Sequence, residues 1–454
     1  MAIAPVAHNL AITEHTPAML GRQILTKGAA LCVRTARWQA MRGTAPKAPT
    51  DSIKKMHTSR VVRCPTSLVA LLLKFNIRRH RSQPETEISP LPQTTIHMQA
   101  TVNHLIVGAG LAGCLLAWRL QQAGRSVMVI GSTTLPNASE VAAGVINPVT
   151  GRWMIKTWNF DSLQPQAQAT YRELERQFGV QCYHPIPLIR YCQHSVDAKR
   201  MGKRMRNPRY ADVLGEPLPA GGGPGAILNS HGAFHIKQAA YVDLPQLLRT
   251  LRQHLSASGR FRDEKFIHAD LRPQPAAWRY RRLQAEQVIF CEGVGMRTNP
   301  WFNWLPLCPA KGESLTLQCP SLQLPHALYH HRKWLLAYGN QRFRIGATFD
   351  SEDPSPAPTR SGAAELLESA RSFIDPEHTL RIEQHDAGLR PTTQDFRPFI
   401  GAHPSERGLY IFNGLGSKGA SLAPELSRQF LLHLLHGEAL DPEIDISRHL
   451  QPRA

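Results

Sequence analysis

Three glycines spaced G-x-G-x-x-G, Gly108, Gly110 and Gly113, stand where an apolar run ends and an amphipathic stretch begins. Leu105–Val107 precedes them; Gly124 halts the helical pattern, and a second apolar run opens at Val127. Strand, turn, helix and strand follow within about 30 residues, the context in which such glycines hold the pyrophosphate of a dinucleotide. Gly108 permits the tight turn, Gly110 leaves bare backbone for a phosphate, and Gly113 lets the helix lie close to the strand. The N–H groups of Leu111, Ala112 and Gly113, at the positive end of that helix, are the expected phosphate donors. An acidic residue is expected about 20 positions past the first glycine, where it would accept the ribose hydroxyls. Gly131 occupies that place, and Ser132 is the nearest hydroxyl that could partly replace the acid.

The elements that must position this turn belong to a long chain. At 454 residues, 42% apolar and 19% charged, it has the composition of a globular protein of two or three domains. Its eight cysteines include no C-x-x-C pair, so neither a disulfide framework nor a metal site is expected. Cys114, on the glycine-turn helix, and Cys291, at the end of an apolar run, read as core residues. The net charge of +19 divides into +10 on residues 1–97 and +9 on the remainder. A modest basic excess on the larger part suits an anionic cofactor and substrate and does not call for nucleic acid. Arg200–Arg209 comes nearest to a basic patch and reads as a solvated loop. The longest apolar stretch near the amino terminus, Leu68–Leu73, is far short of the ~20 residues that span a bilayer.

Residues 1–97 are basic, poor in acids and without sustained periodicity, and Met98 stands six residues before the sequence His104-Leu-Ile-Val. Three readings compete for the leader: an upstream extension from a misassigned start, which the position of Met98 favours; a targeting peptide, which would send the protein to an organelle; or a disordered arm. Without targeting, a cytoplasmic location is expected. Further along, helices are expected at Gln164–Phe178, at Leu244–Leu255 capped by Asp243, at Ala363–Phe373 and at Pro424–Leu435, closed by Gly437. Strands are expected at Ile186–Tyr191, Gln287–Cys291, Ser314–Leu317 and Leu409–Phe412, with a hairpin around Gly339-Asn340. Parallel-type and antiparallel-type segments interleave. The chain therefore reads as α/β, with a discontinuous Rossmann-like dinucleotide domain (98–150, 240–300 and 385–440) and an antiparallel-sheet, α+β substrate domain (151–239 and 301–384), followed by a tail (441–454).

Three later stretches carry a more specific signal. Ser139-Glu-Val-Ala-Ala-Gly144 resembles the S-x-x-A-A-G segment of the D-amino-acid oxidase/glycine oxidase family of flavoproteins. Ala387-Gly-Leu-Arg-Pro391, continuing to Gly401, resembles its A-G-L-R-P…D-x-x-P-x-I-G segment, and Gly414–Pro424 resembles its closing loop. Cys291-Glu292-Gly293 and Lys311-Gly312-Glu313 fit the same order. The resemblance covers about 102–440. It implies FAD, contacted by the turn residues named above, by Ser132, Ala142, Ala143, Gly144 and Asn147, by Gly293, and by Gly414, Gly416, Ser417, Lys418 and Gly419. Small residues at 142–144 let backbone approach a flat ring system, and the late glycines expose N–H groups near a helix start, a positive end suited to charge on a reduced flavin. Lys418 adds a full charge there.

By the same resemblance Arg390 faces the flavin and grips a substrate carboxylate, a task for the guanidinium fork; the competing reading is a salt bridge with Asp386 or Asp395. His184, Tyr191, Tyr241 and Tyr338 are candidate pocket walls. The implied activity is oxidation of the C–N bond of a small carboxylate-bearing amine or amino acid by hydride transfer to flavin, with oxygen or a quinone or carrier as electron acceptor. No cysteine lies in 386–393, where one branch of the family tethers its flavin, so FAD is expected to be non-covalent. Two rival readings are a tRNA wobble-uridine side-chain oxidase and a flavin-binding scaffold without turnover. A homo-oligomer is compatible with all of them.

Overall fold

The computed structural model describes residues 100–450, so the expectations for 1–97 fall outside the described residues. Five parallel strands form the centre of an eight-stranded sheet, in the order Phe261–Arg262, Val127–Ile130, Ala100–Val107, Leu283–Phe290 and Leu409–Asn413. Phe399–Ala402 adds to it antiparallel, as does the hairpin Leu271–Gln274 and Ala277–Tyr280. The strand Val127–Ile130 is apolar at every position and buried at every position, as a strand covered on both faces must be.

The helix Leu111–Gln122 is buried on most of its circumference, because it lies between the sheet and the helices Leu244–Ala257 and Gly419–His436. Leu115, Leu116 and Leu120 are fully enclosed there, each worth roughly 1.5–3 kcal/mol relative to exposure. Helix Leu244–Ala257 begins as expected: the Asp243 carboxylate accepts from the Gln246 N–H at 3.0 Å, and Pro245 stands in the first turn.

A second eight-stranded sheet runs Arg381–Arg390, Ala310–Gln318, Arg342–Gly346, Trp334–Gly339, Leu328–His330, Leu188–Tyr191, Ala233–Ile236 and Leu214–Leu218. All its pairings are antiparallel except that of Leu328–His330 with Leu188–Tyr191. A three-stranded sheet (Val145–Ile146, Ala240–Val242 and Tyr183–Pro185) is separate from both. Segment 385–390 therefore pairs within the antiparallel sheet, not with the dinucleotide strands. Segment 441–450 packs on the first sheet: the Ile400 N–H donates to the Ile444 carbonyl at 3.0 Å, and Ile444 and Ile446 are buried.

The expected solvated loop at Arg200–Arg209 is a helix, Ser195–Met205, followed by a short 3-10 turn at Pro208–Tyr210. Its Lys, Arg and Met residues are good helix formers, Asp197 pairs with Arg200 one turn on at 2.8 Å, and Met201 anchors its one buried position. Charge alone had concealed that propensity. Among the described residues no helix is long and apolar enough to cross a membrane, and no cluster of His, Cys, Asp and Glu could hold a metal ion.

Candidate active site

The parallel strands end level with one another. Val107 pairs with Ile130 and with Phe290, Phe290 with Ile411, and Ile130 with Arg262. Their exit loops, headed by Gly108, Gly131, Cys291, Gly414 and Asp263, consequently share one edge, the side of such a sheet where ligands bind. Gly108 has φ +110°, and a Cβ on it would overlap the carbonyl oxygen of Cys291. A Cβ on Gly113 would overlap the carbonyl of Gly108. Packing thus enforces the bare cradle. Gly110 brings no capping side chain to the helix it precedes, and the Leu111 N–H instead donates to the Ser139 hydroxyl at 3.3 Å. A Cβ on Gly419 would stand 3.7 Å from the Leu111 side chain, so early turn, second loop and closing helix meet at Leu111. This uncapped helix start, its glycine cradle and an adjacent hydroxyl fit the pyrophosphate of FAD.

Within the second loop, Asn137 caps the short helix Ala138–Val141 by accepting from the Ser139 N–H at 2.9 Å. Ala142 and Ala143 remain half-buried and small. Gly144 is glycine for a reason internal to the fold: φ is +64°, and a Cβ would strike the Val242 carbonyl. Two other expected contacts already have partners. The Asn147 side-chain oxygen accepts from the Val149 N–H at 3.0 Å, and the Ser132 and Thr134 hydroxyls are 2.9 Å apart. On the closing side, the Asn413 amide donates to the Gly293 carbonyl at 2.8 Å, fastening that loop to the end of the neighbouring strand. Gly414 and Gly416 have positive φ, Ser417 is exposed, and Gly419 begins the closing helix. Burial and the nearby Arg397 lower the pKa of the half-buried Lys418 amine.

Arg390 ends the edge strand of the antiparallel sheet. Its guanidinium lies across Gly312, where any side chain would overlap it, and donates to the carbonyls of Lys311 and Thr348, both at 3.1 Å. Phe349 faces it at 5.8 Å. The salt-bridge alternatives are both engaged elsewhere: Asp386 pairs with Arg344, and Asp395 with Arg448 at 3.0 Å. Among the described residues the Arg390 guanidinium has no ion pair, and burial lowers its pKa with no anion to offset the effect. Two backbone carbonyls fix a cation for which the described residues supply no counter-charge. Such an arrangement can accept an anion.

Several contributors to this region were not singled out from the sequence. Arg344 donates to the Val141 carbonyl at 2.6 Å and to Ser314 at 3.0 Å, joining the antiparallel sheet to the small-residue loop. Arg252, buried on the helix Leu244–Ala257, donates to the Ala109 carbonyl at 2.9 Å and pairs with Glu140, pinning the glycine turn. Neither side chain belongs to a local motif, since each acts on a segment more than 100 residues away. Of the four wall candidates, His184 and Tyr241 stack at 4.6 Å, and Tyr338 meets Tyr241 edge-on at 6.0 Å, as His326 does at 5.9 Å. Tyr191 does not join them; it packs in the apolar core of the antiparallel sheet. Cys114 and Cys291 are core thiols as expected; burial pushes Cys114 to about 11 and Cys291 upward as well.

Comparison with known proteins identifies the family. Residues 103–430 match the DAO family model, FAD dependent oxidoreductase. Glycine oxidase of Bacillus licheniformis is 34% identical over 349 residues, covering 72% of this chain and 91% of that protein. The crystal structure of glycine oxidase from Geobacillus kaustophilus superposes with a TM-score of 0.67 at 21% identity, over 78% of this chain and all (100%) of that one. The bifunctional tRNA 5-methylaminomethyl-2-thiouridine biosynthesis protein MnmC of Marinobacter nauticus is 24% identical over 348 residues, 71% of this chain but only 54% of that protein. The chain belongs to the DAO family and is an FAD-dependent oxidoreductase.

Proposed function

We propose that the enzyme oxidises the C–N bond of a small amine or amino acid bearing a carboxylate, with Arg390 as the residue that holds the carboxylate. One observation carries this reading: a half-buried guanidinium fixed by two carbonyls and lacking any acid partner among the described residues. A planar fork is matched by a carboxylate, and an anion arriving there regains the electrostatic stabilisation lost on burial. Bound FAD would supply the redox chemistry for hydride removal from the substrate carbon. The chain's own part is positional. Arg390 sets the distance and direction of the substrate, Arg344 ties the substrate sheet to the small-residue loop, and Lys418 with the start of the closing helix adds positive charge. The glycine oxidase relative, whose name states an amino-acid substrate, supports the same class.

Anaerobic mixing of the holoenzyme with glycine, sarcosine, proline and D-amino acids tests the proposal: at least one is expected to bleach the flavin absorbance, and a panel without effect counts against it. Peroxide formation in air would then identify oxygen as the acceptor; its absence would point to a quinone or carrier. A second reading, action on a tRNA side chain, draws on the MnmC relative and on the basic helix Ser195–Met205 with its Lys199, Arg200, Lys203 and Arg204. Tight tRNA binding that weakens steeply with salt would favour it.

A further inference from the structure

We infer that Asp263 holds the adenosine ribose of the cofactor, a carboxylate delivered from the strand beside the one that ends at Gly131. Position 131 cannot carry the acid in this fold. A Cβ there would lie 2.6 Å from the Ala109 nitrogen and 2.8 Å from the Ala109 methyl, so the second strand closes against the glycine turn. The neighbouring parallel strand reaches the same level, because Arg262 pairs with Ile130 and the Gly131 N–H donates to the Arg262 carbonyl at 3.1 Å. Asp263 is therefore the residue next to Gly131 across the sheet, about 4.8 Å over.

Its carboxylate is already oriented. The Thr133 N–H donates to one oxygen at 2.8 Å and the Thr133 hydroxyl to the other. Those hydrogen bonds hold the Asp263 pKa below the usual range, so the group is ionised at neutral pH. Each oxygen keeps a further lone pair, enough to accept both hydroxyls of one ribose. Asp263 also borders a cleft of about 690 Å³, whose lining includes Thr133, Glu140, Arg249 and Arg252. Arg252 connects this cleft to the phosphate cradle, since the same guanidinium donates to the Ala109 carbonyl within the glycine turn. The cleft thus adjoins the glycine turn through Arg252, with Asp263 on its border.

The test uses apoprotein stripped of flavin, with FAD binding followed by quenching of flavin fluorescence and ADP, 2′-deoxy-ADP and 3′-deoxy-ADP as competitors. Wild-type protein is expected to prefer ADP over at least one deoxy analogue by ~10-fold, the loss of one charge-assisted hydrogen bond. Asp263→Asn should weaken FAD by ~10-fold or more and bring ADP and its deoxy analogues within about twofold of one another. Thr133→Val, which leaves the carboxylate in place, should retain the preference. Equal binding of ADP and both deoxy analogues by the wild type overturns the assignment whatever the variants do. A D263N protein that weakens all three competitors equally while retaining their ratio overturns it too, because the carboxylate would then serve only the Thr133 turn.

Discussion

The Tyr171 hydroxyl donates a 2.7 Å hydrogen bond to the carbonyl of Ala420. Ala420 stands four residues before Pro424, whose nitrogen has no hydrogen to return that bond. A fully buried side chain from the helix Phe160–Phe178 therefore completes the first turn of the closing helix. Arg119 supports the same stretch, donating to the Pro424 carbonyl at 3.0 Å and to the Ser427 hydroxyl at 2.9 Å. Proline inside this helix is tolerated because the Tyr171 hydroxyl supplies the donor that the proline nitrogen lacks.

Tyr171→Phe should accordingly lower stability by about 1–3 kcal/mol, the cost of leaving one buried acceptor unsatisfied. Urea denaturation of wild type and variant measures it directly. Unchanged stability would mean that another donor reaches Ala420.

Much of this framework was legible in the sequence, for reasons that are local. The glycine turn, the Asp243 cap and the hairpin around Gly339-Asn340 each combine a backbone requirement with the residue that meets it within a few positions. Arg390 was legible through its motif, but its isolation from acids was not, because Asp386 and Asp395 find Arg344 and Arg448 only in three dimensions. Gly131 shows the boundary most clearly. Its lack of a side chain was visible, whereas the Ala109 methyl that forbids one and the carboxylate of Asp263 beside it emerge only from strand register.

The Ala109–Gly131 contact predicts a coupled pair. Gly131→Ala should destabilise the protein by about 1–3 kcal/mol through overpacking. Ala109→Gly, by removing the methyl but not the backbone nitrogen, should restore part of that loss. A double-mutant cycle in thermal unfolding is the measurement, and strict additivity would show that the two positions do not press on each other.

Acid should weaken the fold over a defined window. His104 is 2% exposed in the central strand, and burial, reinforced by Arg125, lowers its pKa to about 4. Between that value and the ordinary ~6.5, the unfolded chain takes up a proton that the folded chain refuses. Its contribution is thus complete above ~6.5 and lost as pH falls toward 4, by an amount on the order of 3 kcal/mol. Half-buried His330, lowered to about 3, acts in the same direction. His104→Asn should flatten the dependence between pH 7 and 5 in urea titrations; an unaltered slope would assign the acid sensitivity elsewhere.

FAD should leave on denaturation. Residues 386–393 contain no cysteine, and Cys114 and Cys291, near the glycine turn, are buried thiols with raised pKa. The exposed Cys308, whose N–H donates to the Thr392 carbonyl at 2.7 Å, is the sulfur to inspect otherwise. Acid precipitation followed by absorbance of the supernatant reads the outcome: yellow supernatant supports a dissociable cofactor, and a yellow pellet contradicts it.

Arg390, without an ion pair among the described residues, carries the proposed substrate recognition, and anaerobic flavin reduction tests it most directly. With a reactive amino acid, Arg390→Ala should raise the concentration needed for half-bleaching by ~100-fold or more, the loss of a charge-assisted pair of about 3 kcal/mol. Arg390→Lys should recover only part of that, since a point charge lacks the fork. The same amine without its carboxylate should react equally poorly with wild type and variant. Bleaching by Arg390→Ala at wild-type substrate concentrations would contradict the account.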